Sequence, residues 1–274
     1  MSDQGTIKVG VVGLGSIGKT LCVAAENMQN IQLAAVYDEK IELAREFASS
    51  LKCRPPIIPV SKIIKKVDLI VECASQEAVL EIVIPALEAR RDVMIMSVGA
   101  LIDDELLERI KILSESNNCK VYLPSGAISG LDGLKSAAIG RVTSVTLTTR
   151  KPPFALKSTP YLEEKGIDLD SITEKTILFE GCASKAVKLF PANVNVSASL
   201  SLAGIGPKET TVKIVADPSI TKNIHEIEVK GEFGEFSTII KNVPSPSNPK
   251  TSYLASLSAI ATLKNIPSRI KIGT

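Results

Sequence analysis

The sequence predicts an α/β protein in which a doubly wound, parallel Rossmann sheet is joined to an α+β domain with an open, largely antiparallel sheet. Three observations predict this class. In the first half of the chain, apolar β-branched runs alternate with segments of helical length. A glycine-rich loop follows the first of these runs. After about residue 142, apolar and polar residues alternate, a pattern typical of strands with one exposed face.

The first half contains five predicted strands separated by predicted helices. The first strand, IKVGVVG at 7–13, is apolar and β-branched, as expected for a strand buried on both faces. The other strands are predicted at 33–38, 68–74, 92–100 and 120–127, and the helices at 16–27, 39–50, 76–89 and from 103 onwards. Strands that alternate with helices in this way predict a parallel sheet with crossover helices on both faces.

The second half predicts a sheet that is open on one side. Strands with period two are predicted at 142–151, 211–218, 224–231 and 235–242, and helices at 183–189 and from about Asn195. Residues 152–175 contain three prolines and several charges, and we predict an extended loop there.

The C-terminal segment is predicted to form a helix. Asn248 is a suitable N-cap and Pro249 a suitable first residue for a helix over 250–264, which places Leu254, Leu257 and Ala261 on one face. The predicted domains are therefore a dinucleotide-binding Rossmann domain at 1–135, a substrate, catalytic and dimerisation domain at 136–247, and a segment at 248–274 that packs back on the first domain.

The glycine-rich loop GLGSIG follows the first strand, opens a helix and precedes Asp38, which ends the second strand. This context is typical of a dinucleotide site. The first glycine permits the turn, the second lets a pyrophosphate approach the helix N-terminus, and the third allows close packing. Asp38 can accept hydrogen bonds from a ribose diol. The predicted cofactor-binding residues of this unit are Gly13, Gly15, Ser16, Ile17, Gly18 and Asp38.

The predicted cofactor is NAD, because the carboxylate of Asp38 repels a ribose 2′-phosphate. Lys40 lies close by and offsets part of this repulsion, so NADP remains a second possibility. Ala74 and Ser75 follow the third strand and are small enough to leave room for the nicotinamide ribose, but the same residues also fit a plain strand end and helix start.

Composition excludes several classes of function. The net charge is +2 and aromatic residues make up 4% of the chain, so neither a nucleic-acid partner nor an anionic membrane surface is expected. The N-terminus has no signal-peptide pattern, and no apolar run is long enough to span a bilayer. Five dispersed cysteines and a single histidine predict a cytoplasmic protein without a metal site.

Several stretches in the second half resemble one family. They are SGAISGLDGL, TTRKPP, FEGCA, FPANVNVSASL, VADP, NIHEI and NPKTSYLASLS. In this order they resemble the L-aspartate dehydrogenases of archaea and bacteria, and the resemblance extends from the glycine loop to the C-terminal helix.

The resemblance implies both an activity and a set of site residues. It implies oxidation of L-aspartate with NAD or NADP to iminoaspartate, which hydrolyses to oxaloacetate and ammonia and also feeds NAD synthesis. The family's catalytic histidine matches His225, and its nicotinamide contacts match Ala127 and Asn195, with Asn193 as a neighbour on the substrate side. By analogy with other two-domain dehydrogenases, the exposed sheet face predicts a homodimer.

The single histidine, His225, also has an interpretation from the residues alone. It alternates with Ile227 and Val229, so it lies on the more apolar side of its strand and needs a partner or a cleft. An imidazole that titrates near neutrality could activate the water that attacks an imine. A lone histidine in a strand is, however, more often a surface or hydrogen-bonded residue than a catalyst.

The substrate carboxylates need cationic or amide partners. We predict Lys250, Thr251 and Ser252 for this role, together with the backbone at 97–100. A lysine in the first turn of a helix is unfavourable for the helix dipole, which makes Lys250 notable. Arg150 and Lys151 end a predicted strand, and the plain interpretation is that both are solvated.

Two alternatives remain open from the sequence. One is a dehydrogenase or reductase of the same two-domain plan that acts on homoserine or on an imine of the dihydrodipicolinate type. The other is a nicotinamide-binding sensor that has no catalytic turnover. A panel of substrates distinguishes the first alternative, and cofactor binding without turnover identifies the second.

Overall fold

A computed structural model describes residues 5–157, 159–190, 194–246 and 248–273, and at 194, 249 and 250 it describes the backbone alone. The chain divides into two compact units. The first comprises the chain up to Pro124 together with Ala255–Lys271, and the second comprises Ser125–Leu254 together with the residues from Ile272. These units describe packing, whereas the segments 1–135, 136–247 and 248–274 concern domains and stay a prediction.

The first unit is built on a five-stranded parallel sheet with the order β2-β1-β3-β4-β5. Its strands are β1 (Ile7–Val12), β2 (Ile31–Tyr37), β3 (Leu69–Glu72), β4 (Asp92–Ile95) and β5 (Val121–Tyr122). Its helices are α1 (Ser16–Ala25), α2 (Ile41–Ser50), α3 (Val60–Ile64), α4 (Gln76–Glu88) and α5 (Asp104–Asn117), with a 3₁₀ turn at Val98–Ile102. The predicted parallel sheet is confirmed.

The fourth and fifth strands of this sheet are much shorter than predicted. The fourth ends at Ile95, because the N–H of Ser97 bonds to the side chain of Glu72 and the chain then enters the 3₁₀ turn. The fifth pairs with β4 at only two positions, Val121 and Tyr122. The strand order reverses at β1, and ligands of open α/β sheets bind beyond the carboxyl ends of the strands at such a point.

The second unit is built on a five-stranded mixed sheet with the order β10-β9-β6-β8-β7. Its strands are β6 (Val142–Lys151), β7 (Thr176–Cys182), β8 (Thr211–Ala216), β9 (Ile224–Gly231) and β10 (Gly234–Lys241). Its helices are α6 (Leu131–Ala137), α7 (Pro160–Glu164), α8 (Ala183–Leu189) and α9 (Val194–Ala203). Only the pair β6–β8 is parallel, so the prediction of a largely antiparallel sheet is confirmed.

The sequence analysis did not predict β7. This strand lies at the edge of the sheet, and its register against β8 shifts between Ile177 and Phe179. The shift breaks the period-two pattern, which explains why alternation alone did not identify the strand.

One face of the mixed sheet carries the core of the second unit. Val145 and Leu147 of β6 and Ile227 and Val229 of β9 are buried on this face. The opposite face carries charged pairs, such as Lys213 with Glu180 at 2.9 Å. The core positions follow the period of two that predicted these strands.

The C-terminal helix begins later than predicted. Residues Asn248–Ser252 form a strand, β12, which pairs with β11 (Pro244–Ser245), and helix α10 covers Tyr253–Asn265. The predictions of Asn248 as N-cap and Pro249 as first helical residue are therefore wrong. The sheet pairing and the bond from the Tyr253 N–H to the Val243 carbonyl at 2.9 Å hold this segment extended.

The face that α10 buries also differs from the prediction. The buried residues are Ser256, Ala259 and Leu263, and the last two belong to the core of the first unit. Leu257, which the prediction placed with Leu254 and Ala261, is 39% exposed. Across the described ranges, every helix is too short or too polar to cross a lipid bilayer.

Candidate active site

Two glycines of the loop between β1 and α1 are required by the backbone itself. Gly13 has a φ of +93°, in the left-handed region that favours glycine. A β-carbon on Gly13 would lie 2.5 Å from the carbonyl of Cys73, and one on Gly18 would lie 2.0 Å from the carbonyl oxygen of Gly13. These two positions hold the turn tightly against the end of β3.

Gly15 differs from them because it faces open space. Its φ of −70° suits any residue, and a β-carbon there would meet no atom within 4 Å. It is the N-cap of α1 and, because glycine has no side chain, it makes no side-chain cap hydrogen bond. Ser16 and Ile17 follow in the first turn, where the backbone carries the partial positive charge of the helix dipole. A phosphate fits such a helix start.

Asp38 lies beside this loop, directly after β2. Its Oδ2 accepts a hydrogen bond from the Leu14 N–H at 2.7 Å, and its Oδ1 accepts one from the Lys40 N–H at 2.9 Å. Both oxygens of a carboxylate have further lone pairs, so Asp38 can also accept hydrogen bonds from the hydroxyls of a ribose. The backbone thus fixes the orientation of the carboxylate before a ligand binds.

A cleft of about 680 Å³ lies at the carboxyl ends of β1, β2 and β3. Its size is that of a small-molecule cofactor site. Ser75 also caps α4, since its hydroxyl accepts a hydrogen bond from the Ala78 N–H at 3.3 Å. The predicted residues that line the cleft are Gly13, Gly15, Asp38, Ala74 and Ser75. It is also lined by residues that the sequence analysis did not assign, among them Lys19, Leu43, Val60 and Ile82. The open space at Gly15 and the carboxylate of Asp38 fit a dinucleotide.

Glu72 supports one wall of this cleft, and the sequence analysis missed it. Its buried carboxylate accepts hydrogen bonds from the Ala74 N–H at 2.7 Å, the Ser97 N–H at 3.0 Å and the Ser97 hydroxyl at 2.8 Å. Burial raises the pKa of this carboxyl, and the hydrogen bonds from Ser97 and Ala74 oppose that rise. Glu72 thereby ties the end of β4 to the cleft-lining residue Ala74.

In the second unit, polar side chains occupy one end of the buried face of the mixed sheet. His225 of β9 pairs with Thr149 of β6, and its strand continues with Ile227 and Val229 on the same buried side, as the alternation predicted. The imidazole is 4% exposed, and its Nδ1 lies 3.0 Å from the Thr149 hydroxyl oxygen. Because a hydroxyl can donate or accept, this contact orients the ring with either tautomer.

Burial lowers the pKa of His225 from 6.5 to about 4, and the positive charge of Lys151 adds to the effect. The imidazole is therefore neutral at neutral pH. This differs from the expectation of an imidazole that titrates near neutrality, because the strand sequence does not reveal how completely the ring is removed from water. A neutral imidazole keeps one nitrogen lone pair, as a general base requires.

Lys151 is the charged neighbour that lowers the pKa of His225, and the interpretation of Lys151 as a solvated residue is wrong. It is 6% exposed, and burial lowers the pKa of its amine from 10.5 to about 8. The adjacent Arg150 is partly buried and binds Asp217 at 3.4 Å and Glu226 at 2.7 Å. The available signal was parity, since Lys151 shares its side of β6 with Val145 and Leu147.

A buried amide, Asn242, makes hydrogen bonds to three of the segments that carry the family resemblance. Its Nδ2 donates to the Ala127 carbonyl at 3.1 Å, its Oδ1 accepts from the Ser252 hydroxyl at 2.5 Å, and its N–H donates to the Asn223 carbonyl at 2.8 Å. The sequence analysis did not single out Asn242. Its role depends on three segments that are distant in the chain and meet only in the fold.

We expect Asn242→Ala to lower the free energy of unfolding by about 2–3 kcal/mol, because it breaks two side-chain hydrogen bonds and leaves a buried carbonyl without a donor. Ser252→Ala removes one of the same bonds and should cost less. Chemical denaturation of both single variants and the double variant measures this, with the exposed Ser237→Ala on β10 as a control. Strictly additive effects would contradict a shared network.

The remaining predicted site residues differ in their exposure. Thr251 is half-buried in β12, and Asn195 is exposed in the first turn of α9. Asn193 and the side chain of Lys250 lie outside the part of the chain that the structure describes. In the described ranges no three His, Cys, Asp or Glu side chains come together as metal ligands.

Two protein-family models match the two halves of the chain. The model described as "Aspartate dehydrogenase, C-terminal" matches residues 132–266. The model described as "Homoserine dehydrogenase, NAD binding domain" matches residues 13–124, which contain the glycine loop and the cleft.

Individual proteins match over nearly the full length. An L-aspartate dehydrogenase of Methanosarcina acetivorans is 54% identical over 270 residues, which cover 98% of this chain and 100% of that protein. One of Nitrosopumilus maritimus is 43% identical, and the match covers 97% of this chain and 99% of that protein. The crystal structure of aspartate dehydrogenase from Thermotoga maritima is 32% identical, with a TM-score of 0.74 and coverage of 97% of this chain and 99% of that one. The chain therefore belongs to the L-aspartate dehydrogenase family.

Proposed function

We propose that this protein is an NAD(P)-dependent L-aspartate dehydrogenase, which oxidises L-aspartate to iminoaspartate that hydrolyses to oxaloacetate and ammonia. The observation that carries the proposal is the full-length identity of 54% with an enzyme of that name. The dinucleotide cleft of the first unit and the buried imidazole of the second unit support it, because the reaction needs a cofactor site and a proton acceptor.

The residues of the first unit are suited to hold the cofactor. The open backbone at Gly15 and the start of α1 suit the pyrophosphate, and Asp38 suits the adenosine ribose. A bound nicotinamide supplies the two-electron acceptor for the Cα–H bond of the substrate. Asp38 favours NAD, and Lys40, which also lines the cleft, leaves NADP as a second cofactor.

The residues of the second unit are suited to handle protons. The substrate amine must be neutral before its Cα–H bond is oxidised, so a proton must leave the ammonium group. The neutral imidazole of His225 accepts that proton at its free nitrogen, while Thr149 holds the ring in place. The imidazole releases this proton to the solvent before the hydrolytic step, and the same nitrogen then removes a proton from the water that attacks the imine carbon. Ala127, Asn195 and Asn193 are proposed to contact the nicotinamide and substrate, and Lys250, Thr251 and Ser252 to contact the carboxylates.

We also propose a cytoplasmic homodimer whose product feeds NAD synthesis. The outer face of the mixed sheet supports the dimer, because Ile177 on β7 and Ile239 on β10 are 56% and 61% exposed. Apolar side chains on an open sheet face are suited to cover a second subunit. Sedimentation of the purified protein measures the oligomeric state.

A substrate panel tests the proposed activity. We expect NADH or NADPH to form with L-aspartate and not with D-aspartate, L-glutamate or L-homoserine, and to be consumed with oxaloacetate plus ammonia. The absorbance of the reduced nicotinamide measures both directions. Turnover of L-homoserine in preference to L-aspartate would favour the homoserine alternative. Binding of the cofactor without turnover of any substrate would favour a sensor.

A further inference from the structure

We propose that Lys151 binds the side-chain carboxylate of the substrate and thereby determines the preference for an acidic amino acid. The inference rests on the proposed function and deepens it, because it assigns the anion-binding group of the same site.

Lys151 is a buried cation without a counter-ion. Its side chain is 6% exposed, and among the described residues its amine makes no ion pair or hydrogen bond. Burial is the cause of its lowered pKa, and no neighbouring carboxylate raises it. Withdrawing most of a lysine side chain from water without a counter-ion is unfavourable, so packing alone does not account for a lysine at this position.

Two carboxylates near this end of β6 are already engaged elsewhere. Asp217 follows β8, and its N–H bonds to the Lys151 carbonyl at 2.8 Å. Its side chain, however, binds Ser219 at 2.6 Å and Arg150 at 3.4 Å. Glu226 also binds Arg150, at 2.7 Å. Successive residues of a strand point to opposite faces, so Arg150 forms its ion pairs with Asp217 and Glu226 on the face opposite to Lys151.

Lys151 shares its face with the imidazole. Thr149 bonds to His225 across the β6–β9 pair, and Lys151 lies two residues further along the same side of β6. The charge of Lys151 is strong enough at His225 to lower the pKa of the imidazole. An amino acid whose carboxylate meets Lys151 would therefore lie beside the proposed base.

Binding of an anion has a second consequence for His225. Burial is the larger cause of the low pKa of the imidazole, and the positive charge of Lys151 is the second. A carboxylate on Lys151 cancels the second cause, so this pKa should rise when a dicarboxylate binds. The base would then be strengthened by the substrate that it serves.

The single histidine makes this change directly measurable. Because His225 is the only histidine, protein prepared without a histidine tag gives one set of imidazole signals in the NMR spectrum. The probe is succinate, a dicarboxylate that lacks the amine and is not oxidised. Its binding is followed through the imidazole shift as a function of pH and by calorimetry, with and without NAD.

Lys151→Met is the decisive variant, and Lys213→Met is its matched control on the neighbouring strand β8. Lys213 faces away from the core and is paired with Glu180. We expect wild-type protein and Lys213→Met to bind succinate with a rise in the imidazole pKa. We expect Lys151→Met to bind it about 100-fold more weakly, with no further change in the imidazole. Lys151→Met should fold at least as stably as the wild type, because it removes an unpaired buried charge.

Binding of substrates in the presence of NADH, where no oxidation occurs, identifies the carboxylate. If Lys151 holds the side-chain carboxylate, Lys151→Met binds L-aspartate as weakly as the wild type binds L-asparagine. If it holds the α-carboxylate, the variant loses affinity for both. The first result supports the proposal. The second overturns it, because every amino acid has an α-carboxylate and a group that binds it cannot select an acidic side chain. Wild-type affinity for succinate and L-aspartate in folded Lys151→Met would overturn it, whereas a wild type inactive on L-aspartate would refute the proposed function instead.

Discussion

Replacing His225 with alanine is expected to lower kcat for L-aspartate by about 100-fold or more, as the loss of a general acid–base group usually does. The imidazole is buried, oriented by Thr149 and neutral at neutral pH, so it is prepared to accept a proton. The cofactor cleft is lined by other residues, all of the first unit, and NADH affinity should change less than about twofold. Steady-state kinetics and NADH fluorescence titration measure the two effects separately.

Thr149→Val is the graded control for this variant. It keeps the shape of the side chain but removes the hydroxyl that lies 3.0 Å from Nδ1, so the ring loses its orientation and keeps its chemistry. We expect an intermediate loss of about 10-fold, smaller than the effect of removing an acid–base group, because the imidazole itself remains. If His225→Ala loses less than about threefold in kcat, the assignment of the base is wrong.

His225→Ala should also change how the free energy of unfolding depends on pH. In the folded protein the pKa of His225 is about 4, against 6.5 for an ordinary histidine. Between these values the unfolded chain binds a proton that the folded chain does not, so this group makes the free energy of unfolding fall as pH decreases, by about 1.4 kcal/mol per pH unit. His225→Ala should lack that part of the slope, and urea denaturation across this interval measures it.

Replacing Gly15 with valine is expected to weaken NAD binding by about 100-fold or more, with a change in unfolding free energy of no more than about 1 kcal/mol. A side chain at this position meets no protein atom within 4 Å, so the fold tolerates it. The same side chain occupies the space through which a pyrophosphate approaches the start of α1. Calorimetric titration with NAD and thermal unfolding measure the two quantities.

Gly13→Ala is the matched comparison, since Gly13 lies two residues away from Gly15. In contrast to Gly15→Val, this variant should lower the stability of the fold strongly. Its β-carbon would lie 2.5 Å from the Cys73 carbonyl, in a backbone conformation with φ of +93° that alanine disfavours. We expect a loss of stability of about 3 kcal/mol or more, as for other strained substitutions. Wild-type NAD affinity in Gly15→Val would show that the cofactor does not bind along this loop.

The sequence was a sufficient guide where one segment determines its own structure. The apolar run ending in GLGSIG predicted β1, the turn and α1, because glycine is the residue that tolerates the positive φ at position 13 and the close contact at position 18. Alternation with period two placed His225 on the buried side of β9, because the side-chain direction in a strand depends on parity alone. Asp38 was predicted from its spacing along the sequence after the glycine loop and from its position at the end of a strand.

The tertiary structure decided what depends on partners far away in the chain. Thr149 and His225 are separated by 76 residues in the sequence, and Ala127 and Asn242 by 115. No local sequence pattern can predict contacts over such separations. The strand at Asn248–Ser252 replaced a predicted helix start, because pairing with Pro244 and Ser245 outweighed the local N-cap signal. The position of Lys151 at the end of a predicted strand left a solvated side chain as one interpretation. Its burial follows from the elements packed over that face of the sheet, and burial determines the charge of an amine and of the imidazole beside it.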